Sequence, residues 1–248
     1  MITIKSKSEI EKMRIAGKIT GDALKLIEKH IKPGVTTFEL DKIAYDFIKK
    51  QGATPSFLNY NGFPGSICAS PNSQVVHGIP SKNVVLKEGD IISIDMGAYI
   101  GGYHSDAART FPVGKISPEA QRLIDVTRES FFEGIKYATH GGKLGDVSAA
   151  IQEYVEKNGY SVVRDLVGHG IGKNLHEDPS VPNYGKWGKG VKLAQGMVLA
   201  IEPMVNMGEY DVVVLDDDWT VETEDGSLSA HYENTVVITK GECEILTL

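Results

Sequence analysis

The sequence has few cysteines, no long apolar run and no excess of positive charge. Its two cysteines, Cys68 and Cys243, lie far apart, which excludes a disulfide framework and predicts a reducing, cytoplasmic location. No stretch is long and apolar enough to span a bilayer, and residues 1–5 lead into a helical pattern without the features of a signal peptide. The formal net charge of −7 argues against a protein that holds nucleic acid through its phosphates.

Low-complexity linkers are also missing, so we treat residues 1–248 as one domain. With 41% hydrophobic residues, the chain can bury a full core. A pattern of two helices followed by strands occurs twice, once before about residue 112 and once after it. This predicts an α+β fold of two related halves, about 1–112 and 113–248, with central strands and outer helices.

Capping and stop signals predict four helices. They run from the Ser8–Glu11 capping pattern to Pro33-Gly34, from Thr36 to Gly52, from Ser117-Pro118 to Thr139, and from a cap at Asp146 to Asn158-Gly159. In the second half, strands are predicted at 160–167, 197–202, 210–215, 219–223, 230–238 and 243–247.

Residues 91–106, IISIDMGAYIGGYHSD, read as a β-hairpin that turns near Gly101-Gly102. Facing residues of an antiparallel pair have a constant sum of residue numbers, and side chains alternate between faces. The numbers of Asp95 and Asp106 sum to 201, so any register with an odd sum places both carboxylates on one face. Buried together they would need a cation, and the hairpin up to Asp106 contains no Lys or Arg. A surface hairpin with two solvated aspartates is the alternative.

Three further stretches offer ligands to the same cation. His169 is bracketed by glycines in GHGIG, Glu202 ends the apolar run LAIEP, and Glu233 precedes the apolar run NTVVI. Taken singly, the histidine suits a surface turn, and each glutamate suits a sheet edge or a salt bridge. Together, four carboxylates and one imidazole match a pair of divalent ions, which can activate water and polarise a carbonyl.

At the level of motifs the chain resembles the type I methionine aminopeptidases, of the pita-bread family that includes prolidases and creatinase. The resemblance covers nearly the whole chain and lies in NSQVVHGIP (72–80), DMGAYIGGYHSDAARTFPVG (95–114), GHGIGKNLHEDP (168–179), MVLAIEP (197–203) and YENT (232–235). It implies a pita-bread fold, with two pseudo-symmetric halves, a central, largely antiparallel curved sheet and helices on its outer face.

The resemblance also assigns roles to individual residues. The implied metal ligands are Asp95 (bidentate), Asp106, His169, Glu202 and Glu233 (bridging), and the implied catalytic residues are His77, His176 and Glu202. His77 and His176 also contact substrate, and the implied methionine pocket consists of Tyr60, Phe63, Cys68, Leu175 and Trp219. Ordinary core packing is the alternative for the pocket residues, above all Cys68 and Leu175. Three residues differ from those that relatives often have at the matching positions. Leu175 stands where an aromatic residue is frequent, Phe63 where a tyrosine is common, and Gln74 where a glutamate is common.

The expected reaction is removal of the N-terminal methionine from nascent chains and peptides with a small second residue. In this hypothesis a metal-bridging hydroxide attacks the first peptide carbonyl, and Glu202 takes up and returns the proton. His176 stabilises the oxyanion or holds the next residue's backbone, and His77 helps to protonate the leaving nitrogen. The cofactors would be two divalent ions drawn from Co, Mn, Fe(II), Zn or Ni. We expect a monomer whose partner is the nascent chain, with the ribosome as a second candidate and no membrane.

Four alternatives differ in class or substrate. A prolidase or aminopeptidase P carries an extra N-terminal domain, but here the first ligand arrives at Asp95. A type II methionine aminopeptidase needs a long helical insertion, which residues 170–202 leave no room for. Binding modules of this fold have typically lost metal ligands, whereas all five are present here. A dinuclear phosphoesterase would need a basic cluster to hold phosphate, and none adjoins the motifs.

Overall fold

A computed structural model describes all residues, 1–248, and contains four α-helices, one short 3-10 helix (Tyr60–Gly62) and fifteen strands. The helices are α1 (Lys7–Glu28), α2 (Thr37–Lys50), α3 (Pro118–Ile135) and α4 (Leu144–Lys157). The strands are β1 (Thr54–Pro55), β2 (Ile67–Pro71), β3 (Gln74–Val76), β4 (Ile91–Ile100), β5 (Tyr103–Pro112), β6 (Ser161–Val162), β7 (Gly168–Gly170), β8 (Glu177–Val181), β9 (Val198–Ile201), β10 (Met204–Asn206), β11 (Val212–Val214), β12 (Val221–Thr223), β13 (Ser229–His231), β14 (Asn234–Val237) and β15 (Glu244–Ile245). None of the helices combines the length and the apolarity that a bilayer crossing requires.

Three of the four α-helices start at a side-chain cap and α4 does not, with two corrections to the sequence expectation. The capping box of α1 uses Ser6 and Glu9, not Ser8 and Glu11, because the backbone of Ser6 is the last extended one before the helix. Helix α4 begins earlier than Asp146, which lies in the first turn and accepts a hydrogen bond from the Gly188 backbone N–H. The predicted cap at Thr36 is confirmed, since its side chain accepts from the Glu39 backbone N–H.

Two helices and several strands end sooner than predicted. Helix α1 stops at Glu28, before Pro33, and α3 stops at Ile135. The next residues turn so that Thr139 pairs with Thr239. The predicted strand 160–167 is reduced to Ser161–Val162, and the predicted strand 230–238 is split at Tyr232-Glu233.

Each pair of helices covers its own set of strands. Ile27 of α1 and Leu40 of α2 pack in one apolar cluster with Ile94 of β4. Phe131 of α3 and Ile151 of α4 pack in a second cluster with Leu199 of β9 and Val236 of β14. Every pairing between the fifteen strands is antiparallel. The predicted α+β architecture, with outer helices and a central antiparallel layer, is confirmed; the single-domain assignment stays a prediction.

The two halves meet along β5 and the chain around Glu233. The Glu233 backbone N–H donates to the Ala108 carbonyl at 3.0 Å, and the Ala108 N–H donates back to the Glu233 carbonyl at 3.4 Å. Two residues away, the Thr235 hydroxyl bonds both the N–H and the C=O of Asp106. The seam therefore fixes Asp106 and Glu233 side by side at the centre of the molecule.

Candidate metal centre

The hairpin formed by β4 and β5 carries two of the predicted ligands on one face. Gly97 lies opposite Asp106, and Asp95 lies opposite Ala108. Asp95 and Asp106 are thus diagonal neighbours, as the odd-sum argument predicted. The turn is made by Gly101 and Gly102, whose φ values of 61° and 88° are readily adopted by glycine. Both aspartates are buried, so the solvated surface hairpin is ruled out.

The second half delivers the other three predicted ligands to the same place. His169 lies in β7 and pairs with Ala200 of β9, and Glu202 follows the end of β9. The Asn183 side-chain amide donates to the Glu202 carbonyl at 2.9 Å and fixes the backbone there. Glu233 lies between β13 and β14 at the seam. No local pattern predicts a role for Asn183, because its contact with Glu202 comes only from the fold.

These five side chains line one cavity of about 400 Å³. The His169 Nε2 atom lies 3.7 Å from an Asp106 carboxylate oxygen and 3.6 Å from a Glu202 carboxylate oxygen. Ligand atoms of Asp106, His169 and Glu233 all lie within 4.8 Å of one another. This separation leaves room for an ion between them and is too long for direct hydrogen bonds from the imidazole.

No Lys or Arg side chain lines this cavity or lies within ion-pair distance of its carboxylates. One oxygen each of Asp95, Asp106 and Glu233 is buried without a hydrogen-bond partner. Burial raises the pKa of Asp95 to about 7. Burial, and then repulsion between the carboxylates, raises the pKa values of Asp106 and Glu233 well above their ordinary values. An oxygen-rich, buried and electrostatically unsatisfied cluster fits a divalent cation.

His169 presents a neutral imidazole to the cavity. Its Nδ1 atom lies 2.9 Å from the Gly170 carbonyl oxygen, which can only accept, so Nδ1 carries the proton. Burial lowers the pKa of His169 to about 3, which keeps the ring neutral. The Nε2 lone pair therefore faces the carboxylates, in the orientation that a metal-ligating histidine takes.

The remaining predicted site residues line the same cavity. They are His77, His176, Tyr60, Phe63, Cys68, Leu175 and Trp219. Phe63 and Trp219 meet edge to face with ring centroids 5.1 Å apart, and His176 Nδ1 lies 2.8 Å from the Tyr60 hydroxyl. His77 has a φ of 61°, a strained conformation for a residue other than glycine, of the kind that clusters at functional sites.

Sequence reasoning missed several apolar residues of the cavity wall. Phe57, Val76, Leu166 and Met204 line it beside the predicted pocket residues. Met204 could have been inferred, because it follows Glu202 by two residues and its side chain points to the same side of an extended chain. The wall therefore joins an apolar, aromatic and sulfur-containing part to the carboxylate cluster.

Such a fold and such a site define a hydrolytic metalloenzyme with an acidic, partly apolar substrate cavity. A family model described as metallopeptidase family M24 matches residues 11–240. The chain belongs to this metallopeptidase family, and the family and the buried cluster together indicate a divalent-metal site.

Individual relatives agree with this assignment. The chain is 63% identical over 248 residues to the methionine aminopeptidase of Clostridium acetobutylicum, covering 100% of this chain and 99% of that one. It superposes on the Rickettsia prowazekii methionine aminopeptidase with a TM-score of 0.98, at 46% identity and with 100% of each chain covered. An Xaa-Pro dipeptidase from Bacillus anthracis gives a TM-score of 0.79 at 26% identity, covering 98% of this chain and 61% of that one. The predicted pita-bread fold is thereby confirmed.

Proposed function

We propose that this chain removes the N-terminal methionine from polypeptides whose second residue is small. The observation that carries the proposal is one cavity in which four carboxylates and a neutral imidazole lie beside an apolar pocket. The full-length similarity to methionine aminopeptidases supports the choice of substrate. The Xaa-Pro dipeptidase is a weaker guide, because this chain covers only 61% of it.

We propose two divalent ions as the cofactor, held by Asp95, Asp106, His169, Glu202 and Glu233. Four carboxylates balance the charge of two dications, and the unpartnered oxygens of Asp95, Asp106 and Glu233 are available as ligands. When bound, such ions supply Lewis acidity that activates water and polarises a peptide carbonyl. Mn, Fe(II), Co, Zn and Ni all suit these oxygen and nitrogen donors.

The protein's own groups then bind and orient the peptide. The apolar pocket of Tyr60, Phe63, Cys68, Leu175 and Trp219 receives the methionine side chain, since thioethers pack well against aromatic and sulfur-containing walls. The free amino group then lies at the carboxylate end of the cavity, beside the side chains that would hold the ions. The pocket thereby sets the scissile bond beside the two histidines.

Proton transfer and stabilisation of the negative carbonyl oxygen are the tasks of three side chains in this proposal. Glu202 accepts a proton from the attacking water and returns it. His77 hydrogen-bonds the scissile nitrogen and assists its protonation. His176 stabilises the carbonyl oxygen as it becomes negative, held through its Nδ1 by the Tyr60 hydroxyl at 2.8 Å. The nascent chain is then the natural partner, and the ribosome stays a candidate partner.

The test is a pair of peptide assays with a histidine variant. Wild-type protein loaded with Mn²⁺ or Co²⁺ should release methionine from a Met-Ala-initiated peptide and leave an Ala-Pro-initiated peptide intact. His77→Ala should lower kcat by about 10²–10⁴-fold, the usual worth of positioned proton transfer, without loss of bound metal. Cleavage of the Ala-Pro peptide alone, or normal kcat in His77→Ala, would contradict the substrate or the role.

A further inference from the structure

The segment before α1 contacts the loop that carries His176. Lys5 Nζ and the Thr3 hydroxyl each donate to Glu177 Oε2 at 2.6 Å, and Glu177 directly follows His176. The Lys5 and Glu177 side chains are only 5% and 8% exposed. The Lys5 backbone N–H also donates to the Gly196 carbonyl at 2.8 Å, so the lysine is itself anchored.

Glu177 uses its second oxygen within the loop. Oε1 accepts from the Asn174 backbone N–H at 3.2 Å, so one carboxylate connects residues 3–5 with both ends of the turn 174–177. Burial alone would raise the pKa of Glu177, but the hydrogen bonds from Lys5, Thr3 and Asn174 hold it below its ordinary value. The carboxylate is therefore ionised at neutral pH and forms a charge-assisted pair.

Gly172, the last glycine of the GHGIG motif, makes space for this pair. A Cβ atom at this position would lie 2.6 Å from Lys5 Cε and 2.7 Å from Glu177 Oε1. The Gly172 carbonyl accepts from the His104 N–H at 2.8 Å, so the backbone cannot easily retreat. The motif thus serves two sites: His169 faces the carboxylates, and Gly172 accommodates the lysine.

His176 has few restraints of its own. It lies on an exposed turn, and its side chain has one hydrogen bond, to Tyr60, and two neighbouring rings, those of His169 at 4.1 Å and Tyr60 at 5.2 Å. Its orientation therefore depends on where the neighbouring backbone is held. A displacement of about 1 Å at a catalytic group can cost about 10²-fold in rate.

We propose that the buried Lys5–Glu177 ion pair positions His176, so that the segment before α1 controls turnover from outside the cavity. This inference rests on the proposed function of His176 and adds Lys5, Glu177 and Gly172 as positioning residues. None of the three lines the substrate cavity. Their effect is therefore expected in kcat, with metal content unchanged.

The test is a double-mutant cycle on the metal-loaded, full-length protein. Lys5→Met should lower kcat on a Met-Ala-initiated peptide by about 10–10²-fold. In a His176→Ala background the same change should alter kcat by less than about 2-fold, because the group it positions is gone. Gly172→Ala should also lower kcat, because the added methyl group would push Lys5 and Glu177 apart. Lys5→Arg keeps the positive charge and should therefore have a higher kcat than Lys5→Met.

The matched control is Lys173→Met, which removes a lysine from the same loop. Lys173 is 71% exposed and lies 4.0 Å from Glu9, so its loss should leave kcat unchanged. Unchanged kcat in both Lys5→Met and Gly172→Ala would overturn the proposal. An equal loss from Lys5→Met in the wild-type and His176→Ala backgrounds would also overturn it, since the lysine would then act elsewhere.

A spectroscopic measurement separates this inference from the proposed reaction. In ¹⁵N-histidine-labelled protein, the His176 ring resonance, assigned by its loss in His176→Ala, should shift in Lys5→Met and stay in place in Lys173→Met. A resonance that does not move in Lys5→Met contradicts the positioning role even if the protein cleaves no peptide. Full activity of His176→Ala, by contrast, would contradict the proposed function and not the contact.

Discussion

Two buried acidic regions of this molecule differ in whether a lysine side chain forms an ion pair with their carboxylates. Glu177 is paired with Lys5, and its hydrogen bonds lower its pKa despite burial. Asp95, Asp106 and Glu233 are buried without any such partner, and burial raises their pKa values. The first region is complete within the chain and joins the segment before α1 to the loop that carries His176. The second is left with unpartnered oxygens, which fits a site for a divalent cation.

The largest effect is expected when a carboxylate is removed from the region without an ion pair, that of Asp95, Asp106 and Glu233. Asp106→Asn removes a charge from the cluster that we propose as the metal site. It should reduce activity by more than the roughly 10–100-fold that changes around metal ligands cost, and it should reduce bound metal after dialysis. Wild-type metal content and activity in this variant would place the functional cluster elsewhere.

In the paired region, Lys5→Met should destabilise the fold. Removing one partner of a buried ion pair costs about 3–5 kcal/mol, because the other charge stays buried and unpaired. Urea unfolding measures this change in the free energy of unfolding. Lys18→Ala is the control, since Lys18 and Asp22 form an exposed i,i+4 pair worth about 0.3–0.5 kcal/mol. Equal effects of the two substitutions would remove the distinction between buried and exposed pairs.

The two regions should also give opposite pH dependence in metal-free protein. A carboxyl group whose pKa is raised on folding stabilises the fold below its unfolded pKa, and this contribution is lost as pH rises through the folded pKa, about 7 for Asp95. The Tm of the metal-free protein should therefore decrease as pH rises from 5 to 8. In Asp106→Asn this decrease should be smaller.

Glu177 has the opposite sign. Its lowered pKa gives stability that is present above the unfolded pKa, near 4.3, and is lost as pH falls through the folded value. Glu177→Gln should therefore reduce the acid-side loss of Tm by about 2–4 °C for each kcal/mol that the pair contributes. If the Tm of Glu177→Gln decreased at acid pH as much as that of the wild type, the pairing would be contradicted. This is the smallest of the expected effects.

Local patterns explain why the unpaired region could be predicted from sequence. The odd sum of the residue numbers of Asp95 and Asp106 predicted a common face for any odd-sum register, which the structure has, and the apolar runs around Glu202 and Glu233 indicated burial. Boundaries were less predictable, because Ser6 and Ser8 both precede a glutamate by three residues and only the backbone decides between them. The split of strand 230–238 comes from the seam at Glu233, which is a tertiary contact.

The paired region could not be predicted in the same way. Lys5 and Glu177 are 172 residues apart, and a single lysine near a chain start is ordinarily a solvated residue. Gly172 belongs to the GHGIG motif, which was interpreted through His169 alone. That Gly172 also accommodates the Lys5–Glu177 pair follows only from the distances around it in the structure. Asn183 is similar, since its bond to the Glu202 carbonyl depends on the packing of two distant segments.

The most direct test of the metal centre is a calorimetric titration of metal-free protein with Mn²⁺ or Co²⁺, combined with an assay of methionine release from a Met-Ala-initiated peptide. We predict two bound ions per chain and activity that rises as they bind. We expect Glu233→Gln to lose both metal binding and activity. Wild-type protein that binds no divalent ion, or Glu233→Gln that binds and cleaves like wild type, would contradict the account.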